Sequence, residues 1–217
     1  VQVPKFPECS HPLIKSLTHY SDQDLLTLFQ RYPDQGQYFT AIFCRYSPLV
    51  YTLIHHSARS PVQADYLFAL TWRHIYYELG GLNLRELSTA QSDEATTPTK
   101  VPLTLQSWLL NVTAICINRA ELPPVESIQY SLHETSPPFW CYVEQALNQL
   151  EPIHRLVVVM AQTFRWSETR IAAYLQAEGE QTSAMEVRQY LQEGYLQLEQ
   201  LLPDDIRTIY FDGQATT

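Results

Sequence analysis

The chain has 217 residues, a net charge of −9, and 45% hydrophobic and 12% aromatic content. That is ample for packed cores, in one large or two small domains. Lysine occurs only at Lys5, Lys15 and Lys100, which argues against a sequence-independent nucleic-acid binder, because phosphate affinity comes mainly from Lys and Arg. It leaves room for a protein delivered to DNA by a larger partner.

Residues 1–20 read as an irregular segment containing Pro4, Pro7 and Pro12. Ser21 and Asp22 then precede DLLTLFQRY, in which Leu25, Leu26, Leu28 and Phe29 recur at helical spacing. Pro33 to Gly36 is a break. Phe39, Ile42, Phe43 and Tyr46 follow the i, i+3, i+4, i+7 pattern of an amphipathic helix. Ser47-Pro48 reads as a fresh helix start, with serine at the N-cap and proline at the first helical position. Val50, Leu53 and Ile54 continue the apolar face. Ser60-Pro61 repeats the start signal, and VQADYLFALTWRHIYYEL runs on to Gly80-Gly81, a helix stop.

Residues 86–102, ELSTAQSDEATTPTKVP, have almost nothing to bury and read as a mobile loop. LTLQSWLLNVTAICINRAEL is helical again, with Leu105, Trp108, Leu109, Val112 and Ile115 on one side. Pro123-Pro124 closes it, and a linker rich in Pro and Ser runs to Pro137-Pro138. Beyond Phe139, WCYVEQALNQL and PIHRLVVVMAQTF read as two helices. Ser167 caps a third, ETRIAAYL, with Glu168 in its first turn. Gly179 breaks the chain, and Val187, Leu191, Tyr195, Leu198 and Leu202 mark the inward face of a fourth helix, ended by Pro203. No strand pattern of useful length and no internal repeat occurs. The expected fold is all-α, with two helical domains joined by a linker. The boundaries fall at 1–20 (irregular), 21–120 (first domain), 121–138 (linker), 139–211 (second domain) and 212–217 (tail).

Cys9, Cys44, Cys116 and Cys141 form no CxxC pair and read as reduced thiols of a cytosolic protein. Cys9-x-His11 and His55-His56 are each half of a metal motif with no matching half, so no metal and no cofactor is expected. No apolar run resembles a signal peptide or a membrane span, so a soluble cytoplasmic protein without membrane insertion is expected. No nucleophile-base-carboxylate set and no Gly-rich phosphate loop is present, and there are only six glycines; an enzyme is not expected.

In order and spacing, four segments resemble the sigma-70 superfamily of RNA polymerase sigma factors, specifically the small two-domain extracytoplasmic-function type. LFQRY…FTAIFCRYSPLVYTLI, with Tyr46-Ser47-Pro48-Leu49-Val50-Tyr51, is similar to that family's first domain. QADYLFALTWRHIYYEL resembles its polymerase-docking helix. SWLLNVTAICINRAEL resembles the helix that meets the promoter's minus-ten element. ALNQLEPIHRLVVVMAQTFRWSETRIAAYLQ resembles the start of its last domain, which contains a helix-turn-helix. The resemblance covers about 160 residues. It implies a sigma2-like domain over 21–120 and a sigma4-like domain over 139–211. It also implies core RNA polymerase and promoter DNA as partners, an anti-sigma or other regulatory protein as a further one, and no catalytic residue.

By that resemblance Asp65, Trp72 and Arg73 border a polymerase-binding surface, and Arg119 lies where the minus-ten helix ends. In the fourth helix of the second domain, the residues left over for a DNA groove are Ser183, Glu186, Arg188, Gln189, Gln192 and Glu193. Arg188 suits bidentate contact with guanine, Gln189 and Gln192 suit adenine, and the two glutamates would repel phosphates. The expected DNA-binding residues are therefore Ser183, Arg188, Gln189, Gln192 and Arg119. Trp166 reads as core and His154 with Arg155 as solvated.

The sequence departs from the family's pattern in three places. Ala69 and Leu70 stand where a polar pair is usual, INRAELPP offers only Arg119 as a base, and the turn from Leu175 to Val187 is longer than usual. From Phe139 to Thr217 there are 11 acidic and 5 basic residues, a net of −6. The departures motivate an alternative function, a sigma-like adaptor that binds polymerase or another regulatory protein without reading DNA.

Overall fold

The computed structural model describes residues 2–83 and 104–211. The loop expected over 86–102 and the tail lie outside the described residues. Among those residues the chain is all-helical, as its periodicity predicts, with ten helices and no strand. The helices are α1 (Pro12–Lys15), α2 (Asp22–Arg31), α3 (Gly36–Ser57), α4 (Pro61–Leu79), α5 (Leu105–Arg119), α6 (Pro137–Gln149), α7 (Pro152–Thr163), α8 (Glu168–Ala177), α9 (Ala184–Leu201) and α10 (Asp204–Phe211).

The described residues fall into two compact units, 2–141 with 208–211, and 142–207. The division therefore lies within α6 and again within α10, rather than in the proline-rich stretch before residue 138.

In the first unit, α2 opens with a capping box. The Ser21 hydroxyl accepts from the Asp24 N–H, and Asp24 accepts from the Ser21 N–H, satisfying two N–H groups that the helix leaves unpaired. Leu25, Leu26 and Phe29 turn inward. At the other end, the Gln30 amide donates to the carbonyls of Leu79 and Leu82 at 2.9 and 2.8 Å, so a side chain of α2 satisfies carbonyls at the end of α4.

Helix α3 runs unbroken through Pro48, although Ser47-Pro48 reads as a restart. An interior proline forfeits one backbone hydrogen bond and costs about 3 kcal/mol. The offset comes from both flanks, since Phe39, Ile42, Phe43 and Tyr46 before it, and Val50, Tyr51 and Ile54 after it, are all buried in one core. Pro48 itself faces solvent.

Helix α4 supplies the opposite wall. Trp72 is wholly buried, with its ring 5.0 Å from Phe43 and 6.0 Å from Phe39 in edge-to-face geometry, and Tyr76 lies 4.8 Å from Phe39. Such aromatic pairs contribute about 0.5–1.5 kcal/mol beyond the area they bury. Leu105, Leu109 and Val112 of α5 complete the core.

The N-terminal segment is ordered rather than irregular. It forms a 3-10 turn at Pro7–Ser10 and then α1, whose N-cap His11 accepts from the Leu13 N–H. It also overturns the reading of four reduced thiols. Cys9 and Cys44 form a disulfide, with Cα atoms 5.4 Å apart. They are 35 residues apart in sequence, and only the return of the N-terminal segment over α3 brings them together. Cys116 and Cys141 are not disulfide-bonded.

In the second unit, Val157 and Met160 of α7, Ile171, Ala172 and Leu175 of α8, and Val187 of α9 form the core, with Trp166, Tyr190 and Leu191 packed against it. Gly194 of α9 is buried against α7. A Cβ placed there would come within 2.9 Å of Val158 Cγ2, so the absence of a side chain sets how closely the two helices approach.

Candidate nucleic-acid interface

The segment from Ser167 to Gln192 folds as helix, turn and helix. Ser167 caps α8, its hydroxyl accepting from the Arg170 N–H at 3.3 Å. The far end of α8 closes in a Schellman motif. Glu180 N–H donates to the Leu175 carbonyl, Gly179 N–H donates to Gln176, and Gly179 adopts φ +97°, a left-handed conformation that glycine takes without a Cβ penalty. The Gln176 amide then bonds the Thr182 carbonyl at 2.8 Å, so the lengthened turn is held at both ends.

Ser183 is the N-cap of α9 and forms a capping box with Glu186. Glu186 accepts from the Ser183 N–H and hydroxyl, both at 2.7 Å. The Ser183 backbone N–H, and then its hydroxyl, hold the Glu186 carboxyl below the usual range. The sequence suggests Ser183 as a DNA contact and Glu186 as a repulsive one, and both are engaged in closing the helix end.

Arg188, the only cation in α9, forms a bidentate ion pair with Glu168 of α8. Its hydrogen bond to Glu168 is the main reason that the Glu168 carboxyl lies low. Gln189 donates to Glu193 at 2.8 Å, and Gln192 is exposed. Arg188 is set against Glu168, Glu186 and Glu193, so this face carries a formal net of −2.

Glu193 also meets His154 of α7, Nε2 to Oε2, at 3.1 Å. The reading of His154 as solvated fails: it is buried, with its ring 5.7 Å from Tyr190. Its register shows why, since residues 154, 157, 158 and 161 share one face of α7 with the apolar positions. Arg155 is exposed, as the sequence suggests. Tyr195, expected to face inward, is exposed, and its hydroxyl accepts from the Gln162 amide.

Trp166 is half-buried against the core, with the Arg170 guanidinium 4.3 Å above its ring, a cation–π contact. Arg165 precedes it with φ 55°, a left-handed conformation uncommon outside glycine.

In the first unit, Trp72 has no exposed surface and so does not border a partner. Its indole fills the core because Phe68, Trp72 and Tyr76 share the face of α4 that meets the aromatic rings of α3. Asp65 and Arg73 are half-buried. The Asp65 carboxylate accepts from the Tyr51 hydroxyl at 2.9 Å; burial, and then this hydrogen bond, push that hydroxyl up to about 12. Arg73 lies 5.9 Å from the exposed Tyr77 ring. Arg119 ends α5 and is exposed.

Among the described residues no helix is long and apolar enough to cross a membrane, and no group of three or more His, Cys, Asp or Glu side chains is arranged to hold a metal ion. No family model, curated protein or solved structure matches the chain.

Proposed function

We propose that the chain is a sigma-like transcription initiation protein, which binds core RNA polymerase and directs it to promoters. In this reading α9 meets DNA only inside that complex. The observation that carries the reading is the α8–turn–α9 pair. Its N-terminal half of α9 presents Arg188, Gln189 and Gln192 away from the core set by Val187 and its neighbours. One arginine on an acidic unit has little phosphate affinity of its own. Held on DNA by a polymerase, it needs little. The Arg188–Glu168 pair is solvent-exposed, so it contributes weakly and can be exchanged for a base edge.

The same pair favours a second reading, the adaptor that binds polymerase or another regulatory protein without reading DNA. In it Arg188 is a strut between α8 and α9, and the acidic face is the binding surface. Promoter selection by core polymerase with the wild-type chain or Arg188→Ala, from a promoter library over a salt series, separates the two. A sigma-like role predicts roughly tenfold weaker discrimination at one base position with Arg188→Ala and unchanged polymerase binding. Selection left unchanged by Arg188→Ala across the salt series would mean that α9 is not a reader and favour the adaptor, whose own signature is polymerase binding without promoter selection.

A further inference from the structure

The N-terminal segment lies as a strap across the first unit. Cys9 fastens it to α3 through Cys44. Phe6 sits 4.8 Å from the Phe43 ring and 5.9 Å from Phe68, and Glu8 accepts from the Tyr210 hydroxyl of α10 at 3.2 Å. The Tyr210 hydroxyl in turn accepts from Ser136 at 3.0 Å. Phe6, Glu8 and His11 of the strap line a cavity of about 430 Å³ together with Leu132, Phe139 and Tyr210.

Opposing forces act on this strap. Phe6 favours docking. Glu8 opposes it, because the residue is only 4% exposed and desolvation disfavours the charged form of its carboxyl. The core of α2, α3, α4 and α5 is built mainly from residues of those four helices, and Phe6 is the strap's aromatic contribution to it, against Phe43 and Phe68. Cys9 and Cys44 are both half-buried and line a cavity of about 240 Å³ together with Thr18 and Arg45.

We propose that the Cys9–Cys44 disulfide is a redox latch: oxidised, it holds the strap over Leu132, Phe139 and Tyr210; reduced, it releases the strap and uncovers that apolar surface while the rest of the first unit stays folded. The reductant is a dithiol. One of its thiolates attacks a sulfur of the pair, and the S–S bond breaks with release of the other cysteine as a thiolate, which takes up a proton. The second thiol of the reductant resolves the mixed disulfide. The protein gains two electrons and two protons, and the dithiol leaves as a cyclic disulfide. A bistable element biased by thiol chemistry is one of the known forms of protein switch. The latch concerns the first unit alone and holds whichever reading of α9 is correct.

The test is hydrogen exchange on the full chain, oxidised by diamide or reduced by dithiothreitol, with the thiols counted by alkylation after denaturation. Two of the four cysteines should alkylate in the oxidised protein and all four in the reduced one. Reduction should remove protection from residues 6–20, 130–136 and 208–211 and leave 39–54 and 64–79 unchanged. Cys9→Ser should behave as the reduced protein with or without dithiothreitol, and Cys141→Ser should respond as the wild type does. Three results would each overturn the latch: four reactive thiols after diamide, full protection of 6–20 in the reduced protein and in Cys9→Ser, or loss of protection in 39–54 and 64–79 along with the strap.

Discussion

Arg188 on α9 grips Glu168 at the start of α8, with Nε 3.1 Å from both carboxylate oxygens and Nη2 2.8 Å from Oε2. A fork-on-fork pair of this kind fixes direction as well as charge. It turns the one cation of α9 back onto the protein. Glu168→Gln removes the opposing charge and leaves Arg188 available to phosphate. We expect the free chain to gain salt-dependent affinity for double-stranded DNA, and the slope of log affinity against log salt to steepen by about one. Fluorescence anisotropy with a labelled duplex over a salt series measures both, and an unchanged slope would mean that Arg188 does not face the phosphates.

Gly194→Ala should destabilise the second unit. Alanine gains about 1 kcal/mol over glycine in helix propensity, but the new Cβ would meet the Val158 methyl at 2.9 Å and the His154 Cβ at 3.4 Å. Val158 is β-branched and has little rotamer freedom with which to retreat. Overpacking of this kind costs about 1–3 kcal/mol, so the net change should be a loss, seen as a lower denaturant midpoint. Leu196→Ala, two residues on at a position 60% exposed, should change the midpoint little.

Glu8 gives the first unit a pH dependence of known sign. Burial raises its carboxyl above the ordinary value of 4.5, against the lowering effect of Ser136, its own backbone and Tyr210. Below 4.5 the group is protonated whether the chain is folded or not. As pH rises through 4.5 and on through the raised value, the unfolded chain ionises first and stability falls. His11, His133 and Glu134 also line the cavity. Glu8→Gln should therefore flatten the loss of stability between acid and neutral pH. Urea unfolding at a series of pH values checks this, and an identical slope in the variant would exclude Glu8 as its source.

Trp72→Ala should cost about 3–5 kcal/mol, the range for deleting a buried aromatic side chain. Tyr77→Ala, five residues further along α4 at a residue 49% exposed, should cost far less. Equal small effects in thermal unfolding would contradict the placing of Trp72 in the core and return it to the list of surface residues.

The helices were legible because their signals are local. Ser21, Ser60, Thr104, Ser167 and Ser183 each cap a helix through a bond no more than three residues long. The apolar periodicity of α2, α4, α7 and α8 likewise concerns neighbours within one or two turns. The same local reasoning gave the all-α class and the acidic character of the α9 face. It failed at Pro48, where a strong local break signal is outweighed by burial on both sides of it.

What only the tertiary structure decided are relations between residues far apart in the chain. Cys9 and Cys44 are 35 positions apart, Arg188 and Glu168 are 20, His154 and Glu193 are 39, and Glu8 and Tyr210 are 202. No periodicity encodes such pairings, because they depend on which faces of which helices meet. The residue types of the candidate interface were therefore readable from the sequence. Their availability was not, since a partner supplied by another helix determines whether Arg188 or Glu193 points at solvent or is already engaged.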